Sequence, residues 1–231
     1  MSKISIVIPV LNEEKFIGKL LHHIEANSKT SNISDIIVVD GGSTDKTKDI
    51  VASFDDVQLL DSEKGRAKQM NLGAKTSKGD VLYFLHADAH PPKDFDGLIL
   101  KEISKGNKAG CFRMQFDSKH LWLRLASWLT QFNLRPCRGG DQSQFITQEL
   151  FKDIGGYDED YLIYEDNILI NELYARKQFV VINSKIRTSA RQYKKVGIWK
   201  LQYHFWSIYV KRWFGASADD IYTYYKKHIV S

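Results

Sequence analysis

Two aspartates, each closing an apolar run, are the first residues in this chain that suggest chemistry. Asp40 follows IIVV, and Asp88 follows VLYFLHA. Runs rich in Ile, Val, Leu and aromatics that break at acids, glycines or prolines read as buried strands. In open α/β sheets, ligands collect at the carboxyl ends of such strands. Two carboxylates delivered there predict a site for a nucleotide and a divalent cation. Asp40 can accept hydrogen bonds from a nucleobase imide or a ribose, and Gly41-Gly42 lets a ligand approach the backbone. An aspartate in a plain turn explains the same residues. In an extended chain, His86 and Asp88 point the same way. Asp is a hard oxygen ligand suited to Mg²⁺ or Mn²⁺, which usually binds through one or two carboxylates plus substrate phosphates. A surface turn at His90, Pro91 and Pro92 is the competing account.

Three further constellations are weaker. Arg66 and Lys68 follow Gly65 at a helix start and could meet a phosphate, or could simply be solvated. Glu165 and Asp166 open another helix. A carboxylate there can serve as a general base, although acids are favoured at helix N-termini in any case. The turn Gly139-Gly140-Asp141-Gln142 can recognise a hydroxyl-rich ligand or be only a turn. Arg187 and Arg191 are candidates for contact with a diphosphate or an anionic acceptor, with a solvated strand face as the alternative.

These residues need elements to position them. Strands are predicted over 3–10, 35–40, 57–60 and 81–85. Helices are predicted after Asn12 (with Asn12 as N-cap), after Ser43 or Thr44 as cap, over 65–76 and over 95–103. The alternation predicts a mostly parallel sheet covered on both faces. Beyond Gly110 the pattern changes. A strand is expected over 111–116, a helix over 121–132, and a short strand over 144–146. Then come a helix ending near Gly155-Gly156, a helix over 166–176, a strand over 179–182 and a long aromatic helix over 198–214. The expectation is one domain, 1–231, with a nucleotide-binding half (1–110) and a smaller second half (111–231).

Composition narrows the class. The chain has 231 residues, 43% hydrophobic and 26% charged, ordinary values for a soluble globular protein. A net charge of +5 favours anionic partners without specifying them. Cys111 and Cys137 read as free thiols in a reducing compartment. No segment reads as a signal peptide or spanning helix, so a cytoplasmic location, with or without attachment at the inner membrane face, is expected. The stretch 198–214 interleaves aromatics with Lys200, His204, Lys211 and Arg212. It can pack on the lobe, close over the site or lie at a membrane interface. Neither G-x-G-x-x-G nor a P-loop is present, which disfavours a dehydrogenase and a P-loop enzyme.

Taken together, SIVIPVLNEE, VVDGGSTDKT, GRAKQMNLGA, HADAHPP and YEDNILINEL resemble the family 2 glycosyltransferases of GT-A fold. The match is closer to a small subgroup of unassigned acceptor, called selenodomain-associated transferases, through GDQSQF, GGYDED and TSARQY. The resemblance implies an inverting transferase that moves a sugar from a nucleoside-diphosphate sugar to a hydroxyl acceptor. A lipid-linked acceptor would make sense of a membrane contact through 198–214. The implied donor residues are Pro9, Asn12, Glu13, Asp40, Gly41, Arg66 and Asp88. Asp166 is implied as the base, and Asp141, Gln142, Glu165 and Arg191 as acceptor- or phosphate-side residues. Asp88 would hold the Mg²⁺ or Mn²⁺, and His86 either joins it or meets a phosphate.

Three departures stand out. Gly41 replaces a second Asp, His86 replaces the first Asp of D-x-D, and Tyr209 stands where processive members carry Gln. A nucleotidyltransferase is disfavoured, because its Gly-rich loop after the first strand is missing. The alternative is a basic-aromatic module binding membrane surface or nucleic acid without catalysis. It leaves Asp40, Asp88 and Asp166 without purpose, so nucleic acid is not the expected partner.

Overall fold

A computed structural model describes residues 2–139 and 142–230. The first strand, β1 (Ile4–Val10), is buried along its whole length because it lies between two parallel neighbours, β2 (Ile33–Asp40) and β4 (Val81–Phe84). The third strand, β3 (Val57–Asp61), adds in parallel to β2. Period-two alternation sorts the side chains to two faces. Ile4, Ile6, Ile8 and Val10 pack with Ile17, Leu20, Leu21 and Ile24 of α1 (Ile17–Asn27), Val51 of α2 (Thr47–Ala52), and Phe95 and Ile99 of α4 (Phe95–Ser104). Val7, Ile37, Val39, Leu82 and Phe84 face the other way. They meet α3 (Arg66–Thr76), α6 (Gln148–Ile154) and α7 (Glu165–Ala175).

Among the described residues the sheet has eight strands in the order β3-β2-β1-β4-β7-β6-β8-β5. It is parallel through β4. There β7 (Gln144–Thr147) runs against β4, and β6 (Ala109–Phe116) runs against β7. Beyond Gly110, β6 pairs in parallel with β8 (Val180–Thr188). The expected α/β class and covered sheet are present, with β7 and the short β5 (Ala89–His90) running against their neighbours. Strand β8 extends well past the expected Ile182. Its extra residues pair with β6 and, at Thr188 and Arg187, with β5.

The second half completes itself with α5 (Leu121–Leu129), α8 (Arg191–Val196), α9 (Ile198–Trp213), α10 (Ala218–Tyr225) and a π turn over Lys226–Val230. The sequence reading anticipated neither α8 nor α10, nor β5. The expected caps are also corrected. Helix α1 starts at Ile17 with no side-chain cap, and Asn12 instead adopts a left-handed conformation (φ 56°). Its Oδ1 accepts from the Thr44 amide at 2.8 Å, and its own amide donates to Ser43 Oγ at 2.8 Å. Ser43 and Thr44 are therefore engaged with Asn12, and α2 begins later, at Thr47. Two loops following neighbouring strands are stitched together by these bonds.

Candidate active site

The carboxyl ends of β1 and β2 are joined by a side chain that the sequence reading passed over. Gln69, buried in α3, donates through Nε2 to the carbonyls of Val10 (2.8 Å) and Val39 (2.7 Å). A Cβ on Gly41 would approach the same amide to 3.0 Å, so a side chain there would press on Gln69 unless it gave by a few tenths of an ångström. Gln69 lay inside the GRAKQMNLGA motif, but nothing in spacing reveals that a glutamine will bridge two strand ends.

Asp40 spends one oxygen on its own loop. Its Oδ2 accepts from the amides of Gly42 (2.9 Å) and Ser43 (2.8 Å), and its Oδ1 is buried without a hydrogen-bond partner among the described residues. Asp40, Gly41 and Asn12 do not line the large groove that opens beside them. That groove is about 1970 Å³ in volume, and Pro9, Glu13, Arg66, His86, Asp88, Gln142, Asp166 and Arg191 all contribute to its wall. The structure thus gathers most of the residues singled out in the sequence around one cavity. Asp141 lies outside the described residues.

Opposite β1, helix α3 starts at Gly65 with φ 146°, a conformation that favours glycine, and Arg66 is its first residue. Across the groove, Tyr164 takes φ 75° just before α7 and turns Glu165 and Asp166 toward Arg66. Arg66 Nε lies 2.7 Å from Glu165 Oε1, and Nη2 lies 3.9 Å from Asp166 Oδ2. Glu165 is fully buried and absent from the groove wall, so it braces Arg66 and does not face an acceptor. Burial pushes its carboxyl up to about 7, with Asp166 adding to that effect and Arg66 opposing it. Asp166 reaches the groove. Its neighbour Asn167 accepts from Arg135 Nη2 (3.1 Å) and Tyr209 Oη (3.2 Å), and the Tyr209 ring packs edge-on against Tyr164. Arg135 is a groove residue that the sequence reading did not single out.

The third wall is a cross-half clamp. Because β5 directly follows Asp88 and pairs with the end of β8, Asp88 is brought beside Arg191 at the start of α8. Arg191 grips Glu13 with both Nη atoms (2.7 and 2.5 Å) and places Nε 3.0 Å from Asp88 Oδ2. Its guanidinium also sits 4.7 Å above the Phe16 ring. Among the described residues there is no cluster of three or more metal-ligating side chains. Asp88 and His86 supply one carboxylate and one imidazole to the groove. One carboxylate and one imidazole could hold a divalent cation only with other oxygens completing its shell, and they do not form a protein cage. Arg187 is exposed on β8 and lies away from the groove wall.

The family model for glycosyl transferase family 2 matches residues 5–164. A dolichyl N-acetyl-α-D-glucosaminyl phosphate diacetamido-dideoxy-glucuronosyltransferase of Methanococcus voltae is 34% identical over 102 residues, 41% of this chain and 32% of that protein. The chain thus spans about a third of that relative's length. Among solved structures, Staphylococcus aureus TarS (residues 1–349) in complex with UDP superposes with a TM-score of 0.68 at 19% identity, covering 81% of this chain and 60% of that one. GalNAc-T7 with UDP, GalNAc and Mn²⁺ gives 0.67 at 14% identity, covering 82% and 44%. These likenesses establish a shared GT-A-like fold.

Proposed function

We propose, for a chain that belongs to glycosyl transferase family 2, that it transfers a sugar from a nucleoside-diphosphate sugar to a hydroxyl acceptor with inversion at the anomeric carbon. The observation that carries this reading is that Asp166 and Asp88 share the wall of one groove, with Arg66 3.9 Å from the first and Arg191 3.0 Å from the second. A single displacement needs two kinds of assistance at two places. The acceptor oxygen forms its bond to the anomeric carbon while losing a proton, and Asp166 takes that proton. The bond from the anomeric carbon to the diphosphate breaks on the other side, and the electron pair leaves with the nucleoside diphosphate. Arg66 and Arg191 offer fixed positive charge to that leaving group, which counts for more in a groove than in open water.

Asp88, with His86 beside it in the chain, would hold a divalent cation carried in by the diphosphate. The cation would supply Lewis-acid stabilisation of the departing oxygens. Pro9 and Glu13 border the groove on the donor side, whereas Asp40 and Gly41 act through the loop that shapes it. Gln142 lines the wall from the second half. Its amide donates to the Cys137 carbonyl at 2.8 Å and its oxygen accepts from buried Arg138 at 2.8 Å. It is therefore a support for the acceptor side.

Thermal-shift titration with uridine diphosphate, with and without Mn²⁺, followed by a hydrolysis screen of nucleotide sugars, tests the reading. Stabilisation by the nucleotide and release of nucleoside diphosphate are expected. A protein that ignores every nucleoside diphosphate but is stabilised by an oligonucleotide would be the non-catalytic module instead.

A further inference from the structure

Helix α9 has two apolar stripes, and only one is covered. Leu201, His204 and Ile208 are buried, and Leu201 and Ile208 pack with Ile221 of α10 and with Ile229. The opposite stripe, Trp199, Tyr203, Trp206, Val210 and Trp213, recurs at helical spacing and faces solvent, with Trp213 85% exposed and the adjoining Phe214 83%. Helix α5 repeats the arrangement. Leu123 is buried, while Leu121, Leu125, Trp128 and Leu129 are exposed, Leu121 at 77%. Trp122 joins the two helices through ring contacts with Trp199 (5.5 Å) and Trp206 (5.8 Å). Together the stripes form one large exposed apolar surface, well beyond what scattered surface residues produce.

The charge within the segments that build this surface has one sign. Residues 118–139 and 173–218 contain no Asp or Glu. Exposed Lys119, Arg124, Lys195 and Lys200 lie within or next to the helices that build the face. A second copy of the chain would set these cations against one another, so self-association is disfavoured by the same residues. An anionic bilayer complements both features: tryptophans enter the headgroup boundary, and lysines and arginines meet lipid phosphates. No helix among the described residues is long and apolar enough to cross a membrane. The contact must therefore lie in the plane of the interface.

We propose that the α5–α9 face docks on an anionic phospholipid bilayer as a two-helix platform. The groove opens along its edge, because Leu129, Trp206, Val210 and Trp213 belong to both. A lipid-borne acceptor would then reach Asp166 without leaving the bilayer, a consequence that rests on the glycosyl-transfer reading.

Co-sedimentation with vesicles of phosphatidylcholine, alone or with phosphatidylglycerol, tests the docking. Binding is expected to the anionic vesicles, weakening as salt is raised. The double variant Trp128→Ser, Phe214→Ser removes two exposed side chains outside the groove wall, and should lower partition by about tenfold or more. Quenching of wild-type tryptophan fluorescence by acyl-brominated lipid reads the same contact without any variant. The proposal is overturned by no sedimentation with either vesicle, by no quenching, or by a dimer in light scattering that the double variant abolishes. Uridine diphosphate binding measured on the same samples separates the two readings. Vesicle binding without nucleotide binding removes the enzyme and leaves the platform, and the converse removes the platform alone.

Discussion

In residues 4–104 the polar groups near the groove are mostly held within their own half. Asp40 caps its own loop, Asn12 stitches the loop after β1 to the loop after β2, and Gln69 closes two strand ends. In the second half the decisive charges are held against the first half. Glu165 and Asp166 reach Arg66, and Arg191 reaches Glu13 and Asp88. The contrast suggests a division of labour. A rigid first half presents a fixed shelf, and the second half is tethered to it by ion pairs that a charged ligand could compete for. The two halves differ again on the outside, where α5 and α9 leave an apolar face uncovered.

The sharpest way to break this division is at Asp166. If it is the base, Asp166→Asn should lower kcat by about 10²- to 10⁴-fold. Nucleotide affinity in calorimetry should stay within a few-fold of wild type. Equal loss of both would mean that Asp166 only anchors Arg66, and the second half would then be scaffold as well.

The seam between the halves comes next. Gly110 is the residue at which β6 passes from β7 to β8. A Cβ there would lie 2.3 Å from the Val180 carbonyl oxygen and 2.9 Å from the Phe145 ring. A backbone carbonyl held in a ladder cannot give way as a flexible side chain can. Gly110→Ala should therefore cost about 3 kcal/mol, read as a lowered midpoint in denaturant unfolding with both halves melting together. A separate transition for each half would break the single-sheet description.

The tether at Glu165 has a pH signature. Its folded carboxyl is raised to about 7, mainly by burial, above the ordinary carboxylate range of the unfolded chain. Between those values the folded state holds more protons than the unfolded state. Stability from this group is thus present at low pH, lost as pH rises to about 7, and level beyond. Glu165→Gln should remove that slope. The variant should match wild type near pH 5 and gain about 2 kcal/mol relative to it by pH 8. A constant difference across the range would show that Arg66 already neutralises the buried charge in full.

The contrast between halves also explains what could be read from the sequence. Strand-end acids and helices of the first half follow from local patterns, because β1, β4 and the end of β2 are apolar runs and the helices have periodic faces. The groove residues Asp88, Arg66 and Asp166 were legible as short motifs. What the sequence hid was long-range. Asn12 looked like a helix cap, and only the approach of the 43–44 loop gives it different partners. Strand β5 is two residues long and exists because β8 is there to pair with it. The exposed stripe of α9 was periodic in the sequence, yet its exposure depends on α10, whose polar start at Asp219 and Asp220 masked the buried Ile221.

The smallest effect is expected at the Arg191 clamp, where it is also the most discriminating. Arg191 and Asp88 pair at a partly exposed site, and such pairs contribute only a few tenths to about 1 kcal/mol. A cation seeking Asp88 must displace that guanidinium. Arg191→Gln should therefore tighten Mn²⁺ binding by the nucleotide-free protein by about two- to fivefold, measured by electron paramagnetic resonance of free Mn²⁺. Arg191→Lys keeps the charge but loses the planar grip on Glu13, and should fall between the two. If Mn²⁺ affinity is unchanged or weaker in Arg191→Gln, the arginine does not compete at Asp88. The tether would then join the halves without guarding the groove, and Asp88 would be no more available after its removal than before.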